Sequence, residues 1–507
     1  MPSSNKGRAP LYEALRRHRD AGPHSFHVPG HGMGRAWEER QIASEYRELL
    51  PLDVTELSDT DDLHQAEGVI REAQQLAALT FGAEETCFLV GGSTSGNLAL
   101  ILAHCRPGDI LIVQRNIHKS VVHGLQLAQA CAVFLSPRMD GDTGLALIPA
   151  LEDVEAALQQ YPQAKAVLLS TPNYYGLGVS LAAYAQLVHS YGRPLLVDEA
   201  HGAHYGLHPE LPRSALQDGA DGVVQSTHKT LTAMTMGAML HLQGNRIERS
   251  SIRQMLQTLQ SSSPSYPIMA SLDIARAMID SDGTTLFDAG LAHARIFRER
   301  LALETDFESV GYSRKGERQV PADYDYYDPL RAAIRDRKGR VSGYELHKML
   351  EERGCWAEMA DPVYVVLIFG IGTTAQDVEA LLQALQQIHE KLEQTVKISP
   401  PPSGVLAAAL HQASDSPLGG FSEPIPFGLH LDGDQLIETI PLSEAEGRIA
   451  AEMITPYPPG IPLLYAGERI SGDTAVRLGQ LAALGAKCQG AADPSLSTLR
   501  VRQIKTV

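Results

Sequence analysis

The chain has 507 residues, 44% of them hydrophobic and 20% charged, a composition that excludes a disordered chain, a collagen-like repeat and a small disulfide scaffold. Its 43 basic and 60 acidic residues leave a formal charge of −17. Nucleic acid and anionic membranes are polyanions, so neither is an expected partner, whereas a small cationic ligand is compatible with the charge.

Residues 10–20 (PLYEALRRHRD) predict a short amphipathic helix ended by Gly22-Pro23. FHVPGHGMG (26–34) is too rich in Gly and Pro to be regular. Residues 35–66 read as irregular and acidic, with Asp53, Glu56, Asp59, Asp61 and Asp62 close together. EGVIREAQQLAALTFG then predicts a helix capped by Gly82. Thereafter short apolar runs alternate with helical stretches. The runs are 87–90, 110–113, 132–136, 166–170, 194–198, 222–226 and 238–242, and the helices fall at 95–105, 119–130, 149–160 and 181–191. Strands that are apolar throughout, alternating with helices, predict an α/β fold with a mainly parallel, seven-stranded sheet covered on both faces. Such sheets bind ligands at the carboxyl ends of their strands.

SSSPSYP (261–267) interrupts the pattern, and a long helical region follows to about 305. DYDYYDPLRAAI and VYVVLIFG (363–370), with a helix between them and another at 375–394, predict a small α+β domain. ISPPPSG (398–404) reads as a linker, and PYPPGIPLL (456–464) is too Pro-rich for a central strand. The expected division is an arm at 1–65, a large domain at 66–290, the small α+β domain at 291–397 and a C-terminal domain at 398–507. No run of about 18 apolar residues occurs, so neither a membrane span nor a signal peptide is expected. Five scattered cysteines (Cys87, Cys105, Cys131, Cys355, Cys488) form no CxxC pair. They read as buried free thiols in a reducing cytoplasm.

Four stretches carry candidate chemistry. GGSTSGN (91–97) follows a strand and opens a helix; it reads as a plain capped turn or as a cradle for a phosphate. Gly91 and Gly96 have P-loop spacing, but Asn97 and Leu98 stand where Lys and Ser/Thr are required. That same absence removes the motor reading of DEAH at 198–201. Asp198 ends an apolar strand, where a carboxylate needs a strong partner, either local caps or the N–H⁺ of a bound heterocycle. His201 and His204 follow it, with no third ligand at metal spacing, so no metal is expected. In VVQSTHKTL, Lys229 lies just after another strand, beside Ser226, Thr227 and His228, where partial desolvation would suit a Schiff base. His118, in RNIHKS, is either a capping residue or an imidazole laid on a cofactor ring. Together an anion cradle, a strand-end Asp and a strand-end Lys are the parts that a pyridoxal phosphate enzyme uses.

At this point the sequence resembles the Orn/Lys/Arg decarboxylase family, fold type I pyridoxal phosphate enzymes with an aspartate-aminotransferase-like large domain. The likeness rests on FHVPGHG (26–32), DLHQAEGVIREAQ (62–74), GGSTSGN, RNIHKSV (115–121), TPNYYG (171–176), VDEAHGAH (197–204), QSTHKTL (225–231), SSSPSYP and PYPPGIPLL, in family order. Glu67 and Ala466 depart from the pattern. With FHVPGHG near its start, the sequence resembles the short subfamily, so no N-terminal wing domain is expected. The resemblance implies that Lys229 forms the Schiff base with the cofactor, Asp198 pairs with the pyridine nitrogen and His118 stacks on the ring. It implies that Ser93, Thr94, Ser95, Ser226 and His228 hold the phosphate, and that Thr171 and Ala200 flank the ring. Ser262 or Ser263 would reach the neighbouring subunit's phosphate, so a homodimer with shared active sites is implied. His201 would line the pocket, Glu468 would lie near the substrate, Glu468 or one of the 53–62 acids would bind the substrate's cationic end, and Lys229 or His228 would return a proton to Cα. The implied reaction is decarboxylation of a cationic amino acid in the cytoplasm, arginine ahead of lysine and ornithine, feeding polyamine synthesis. Transamination on the same fold is the alternative.

Overall fold

A computed structural model describes residues 7–38, 43–312, 324–395, 420–428, 437–456, 461–483 and 486–503. The 398–404 linker lies outside the described residues, as do 457–460 of the Pro-rich stretch. All seven apolar runs form strands. They are β1 (Glu85–Leu89), β2 (Ile110–Gln114), β3 (Cys131–Leu135), β4 (Val167–Ser170), β6 (Leu195–Asp198), β7 (Gly222–Gln225) and β8 (Ala238–Leu242), with a two-residue strand β5 (Leu177–Gly178) between β4 and β6. The chain divides into two compact units, 7–103 with 194–288, and 104–193 with 289–503 among the described residues.

In the first unit the strand order is β1–β8–β7–β6. β6 and β7 run parallel, pairing Asp198 with Val224. β8 is antiparallel to both its neighbours. Two helices, Val69–Phe81 and Gly92–His104, flank β1 in sequence. The first ends at Gly82 in the left-handed region (φ 73°), and its start is capped by Asp61, whose carboxylate accepts the Gly68 and Ile70 N–H groups at 2.9 Å. The second begins at Gly92, not near residue 95. Gly, Ser and Thr have low helix propensity, but tertiary packing overrides it. Gly96 makes that packing possible: a Cβ there would lie 2.8 Å from Leu89 Cδ1 and 3.0 Å from Val224. The P-loop-like spacing is thus a close-approach requirement.

In the second unit β2 lies between β3 and β4, parallel to both. An eighth strand that the apolar runs do not announce, Ile425–Pro426, pairs antiparallel with the edge of β3. Residues 307–312 and 324–395 carry strands and helices together. A four-stranded antiparallel sheet of Phe307–Ser309, Arg331–Asp336, Val365–Ile368 and Met359–Ala360 accompanies helices Gly343–Glu351 and Ala375–Thr395. The C-terminal segment pairs Ile437–Pro441 with Thr498–Arg502 over a small core containing Ile440, Leu464, Ile470, Leu478 and Val501. The five thiols are unpaired, but only Cys87 and Cys105 are buried; Cys131, Cys355 and Cys488 are half-buried, a correction to the expectation.

Candidate active site

The carboxyl ends of β6 and β7 carry the densest chemistry. Asp198 is 4% exposed. It accepts hydrogen bonds from Asn97 Nδ2 at 2.9 Å and from the Ala200 N–H at 3.1 Å. Asn97 comes from the helix that Gly96 brings close, so the sequence positions a donor for a buried anion where water cannot serve. Ala200 is buried beside it.

β7 ends at Gln225, and the one-turn helix Thr227–Thr230 carries His228 and Lys229. Lys229 is half-buried, and its Nζ lies 3.0 Å from Nε2 of buried His201. His228 Nδ1 lies 3.0 Å from the Gly237 carbonyl. Ser226 is fully buried, and its Oγ finds no partner among the described residues. An orphaned buried hydroxyl is costly unless something else satisfies it. Ser93, Thr94 and Ser95 occupy the first turn of the 13-residue helix Gly92–His104. Ser95 Oγ donates to the Gly92 carbonyl at 2.8 Å. The first-turn N–H groups have no acceptor within the helix itself, and the Gly92 N–H donates to the Met236 carbonyl at 2.9 Å; such a helix start favours an anion. These residues fit pyridoxal phosphate. Ser226 and the helix start offer donors for a phosphate, Asp198 an anion for a pyridinium, and Lys229 an amine for the aldehyde.

Ser262 and Ser263 are exposed, on the loop before the helix Tyr266–Asp282, which Ser265 caps through the Ile268 N–H. His204 is buried and makes an edge contact with Tyr205. Glu67 is exposed, and its N–H donates to Asp61.

Three site candidates lie in the second unit, His118, Thr171 and Glu468. His118 is the N-cap of Lys119–Ala128, and its Nδ1 accepts the Ser120 N–H at 3.2 Å. Thr171 is buried, with its hydroxyl 3.2 Å from Tyr326 Oη. Glu468 has both oxygens engaged by Arg115 (2.8 and 3.0 Å). The 53–62 acids are also largely committed. Asp59 meets His18 at 2.9 Å, Asp53 meets His31 at 3.3 Å, Asp61 and Asp62 cap helix starts, and Glu56 accepts from the Thr55 hydroxyl.

Sequence reasoning missed two groups. Asn97 was inside a recognised motif, but its partner is 101 residues away. Glu199 is 1% exposed and bonds to Gln225 Nε2 at 2.7 Å and the Ala215 N–H at 2.8 Å. Burial pushes its carboxyl up to about 8 despite those two donors. Asp306, His389 and Glu393 converge within ligand distance of one another, but Lys338 and Arg340 already neutralise the two acids.

The Orn/Lys/Arg decarboxylase major-domain profile matches residues 9–377, and the C-terminal-domain profile of the same description matches 433–489. An arginine decarboxylase of Bacillus subtilis is 33% identical over 495 residues, 97% of each chain. The uncharacterized protein YaaO of the same organism is 41% identical over 95% of this chain and 96% of its own length. The crystal structure of the Francisella novicida lysine decarboxylase LdcF superposes with a TM-score of 0.80 at 20% identity, covering 98% of this chain and 81% of that one, a likeness of fold.

Proposed function

The chain belongs to the Orn/Lys/Arg decarboxylase family and is a pyridoxal-phosphate-dependent decarboxylase of a basic amino acid; within that activity, we propose that its substrate is arginine and its product agmatine, with lysine and ornithine turned over more slowly. The observation that carries the choice is the end-to-end match to an arginine decarboxylase, 97% of both chains. The amine product would enter polyamine synthesis, and the enzyme would act in the cytoplasm. Among the described residues no helix is long and apolar enough to cross a membrane. The same reading assigns residues 1–65 to an arm, 66–290 to the cofactor domain, 291–397 to the small domain and 398–507 to the C-terminal domain.

When bound, pyridoxal phosphate supplies the sink for the electron pair left at Cα as carbon dioxide departs. The residues of this chain divide the remaining work. Ser93, Thr94, Ser95, Ser226 and His228 hold the phosphate, with Ser262 or Ser263 contributed across a dimer. Asp198 holds the proton on the ring nitrogen, because a buried carboxylate with two fixed donors needs little reorganisation to face a cation. His118, Thr171 and Ala200 confine the ring. Lys229 anchors the cofactor and, with His228, is the proton source for Cα. His201, in contact with Lys229, lines the pocket and orients the amine.

The test is turnover on arginine, lysine and ornithine in parallel, with carbon dioxide and the amine quantified. Faster turnover of lysine or ornithine overturns the substrate assignment. A keto acid in place of carbon dioxide would point to transamination, which uses the same Lys and Asp.

A further inference from the structure

Arg115 leaves β2 one residue past its end and stands three residues before His118. Its backbone N–H donates to the Leu135 carbonyl at 2.9 Å. Its guanidinium meets Glu468 with both nitrogens, at 2.8 Å from Oε1 and 3.0 Å from Oε2. A planar fork on a carboxylate fixes direction as well as distance. The guanidinium also lies 5.0 Å from the Tyr465 ring centroid, and that ring stacks on Phe134 at 4.6 Å. Tyr465 Oη donates to the Arg115 carbonyl at 2.6 Å, while the Tyr465 N–H donates to Glu468 Oε2 at 3.1 Å. One turn, 463–468, therefore grips Arg115 by side chain and backbone together. Burial works against the charge of Arg115, but Glu468 and Tyr465 together more than offset it, holding the guanidinium above its ordinary value.

The far side of the same loop is also fixed. Ile117 is fully buried, His118 is locked to the helix start through the Ser120 N–H, and Lys119 Nζ reaches Gln489 Oε1 at 2.8 Å. The path from Gln114 to Ile117 is what remains to be set, and Arg115 lies on it. A carboxylate already saturated by a guanidinium fork has little field left for the distal cation of a substrate.

We propose that Glu468 is a positioning residue: through its fork with Arg115 it sets the loop that presents His118. This rests on the reading that His118 stacks on the cofactor ring. The experiment uses the holoenzyme of Glu468→Gln, Glu468→Asp, Arg115→Lys, the pair Arg115→Ala and Glu468→Ala singly and together, and His118→Ala. It reads the visible circular dichroism of the bound cofactor beside kcat and KM for arginine. A misplaced ring partner costs on the order of 10–10² in kcat. The expected result is a fall of that size in Glu468→Gln, with KM moved by less than about threefold and an altered visible signal. Arg115→Lys should reproduce it, Glu468→Asp should recover part, and the double alanine chain should be no worse than the worse single. Arg115→Lys keeps charge and stem, so it carries the test should the Glu468 variants fold poorly. A Glu468→Gln chain with a wild-type visible signal and a raised KM overturns the proposal and returns Glu468 to the substrate. Additive single effects overturn it as well. A His118→Ala chain with a wild-type signal overturns the ring-stacking reading itself and the proposal with it, whereas a wild-type signal in Glu468→Gln and Arg115→Lys alone overturns only the proposal.

Discussion

Asp198 is held by two donors of different origin, a side-chain amide from the helix Gly92–His104 and the backbone of Ala200 two residues on. The carboxylate and the donor aimed at it should therefore be separable by mutation. Asp198→Asn should keep the cofactor and lose about 10²–10³ in rate, the size seen when a preorganised electrostatic partner is removed; activity measured at full cofactor occupancy checks this. Asn97→Leu removes one charge-assisted bond, worth about 1.5–3 kcal/mol, so kcat should fall about 10–10²-fold while Asp198 itself remains. Unchanged kcat in a folded Asn97→Leu chain would show the amide to be mere packing. Lys229→Ala should abolish turnover and the visible band of the bound cofactor, with far-ultraviolet dichroism unchanged; residual activity near wild type would remove the lysine from its role. At this scale the short motifs were legible only as a set, because a Ser/Thr turn, a strand-end Asp and a strand-end Lys each have an ordinary structural use alone, whereas together they are the parts of one cofactor site. Asn97 and the Arg115–Glu468 fork were not, because the partners lie 101 and 353 residues apart and no local spacing rule reaches that far.

Elements are joined at the same place. Glu199 follows β6 and Gln225 ends β7, and their bond ties together the strand ends that carry Asp198 and Ser226. The chain of contacts continues to His241 on β8 (3.0 Å) and to Thr86 on β1 (2.8 Å). Because Gln225 gives its amide N–H to Glu199, its carbonyl must accept from His241, so His241 is the neutral Nε2–H tautomer with Nδ1 accepting from Thr86. Burial enforces that neutrality, pushing His241 down to about 3. Glu199 is raised, chiefly by burial, from 4.5 to about 8. Between those two values the folded chain keeps a proton on Glu199 that the unfolded chain has released, so the Glu199 contribution to stability falls as pH rises through that window and flattens above it, while the opposite slope from His241 below 6.5 is common to wild type and variant. In Glu199→Gln that slope is absent. Unfolding temperatures of the two chains should converge or cross between about pH 5 and about pH 8, with wild type losing ground toward the alkaline end. Parallel curves would show that Glu199 titrates normally. The strands were readable from their continuous apolar runs. The start of the Gly92–His104 helix was not, since its first turn, Gly-Ser-Thr-Ser, has low helix propensity and the close approach of Gly96 to Leu89 and Val224 is a tertiary feature. Nor was Ile425–Pro426 legible, a two-residue strand whose pairing depends on β3, far earlier in the chain.

Ser262 and Ser263 present their side chains to solvent on a single chain, although the loop that holds them is fixed. His64 Nε2 lies 2.8 Å from the Ser261 carbonyl, the Ser263 N–H donates to Ser261 Oγ at 3.1 Å, and Pro264 is buried ahead of the Ser265 cap. A rigid loop bearing outward hydroxyls suits a phosphate that belongs to another chain. The proposed assembly is a twofold dimer in which each site takes Lys229 from one chain and the serines from the other. Cofactor binding only the assembled site would then stabilise the dimer by mass action. The discriminating measurement mixes a Lys229→Ala chain with a Ser262→Ala/Ser263→Ala chain, each impaired alone. In a mixed dimer both lesions fall in one site and the other is intact. Equal mixing with random exchange should therefore restore roughly a quarter of wild-type activity, since half of the dimers are mixed and each of those has one good site. Sedimentation during the same exchange should show a dimer whose dissociation on dilution is slowed by added pyridoxal phosphate. Confirmed exchange without recovery, or a fully active monomer, would place every phosphate ligand on one chain and leave the two serines as an ordinary surface loop.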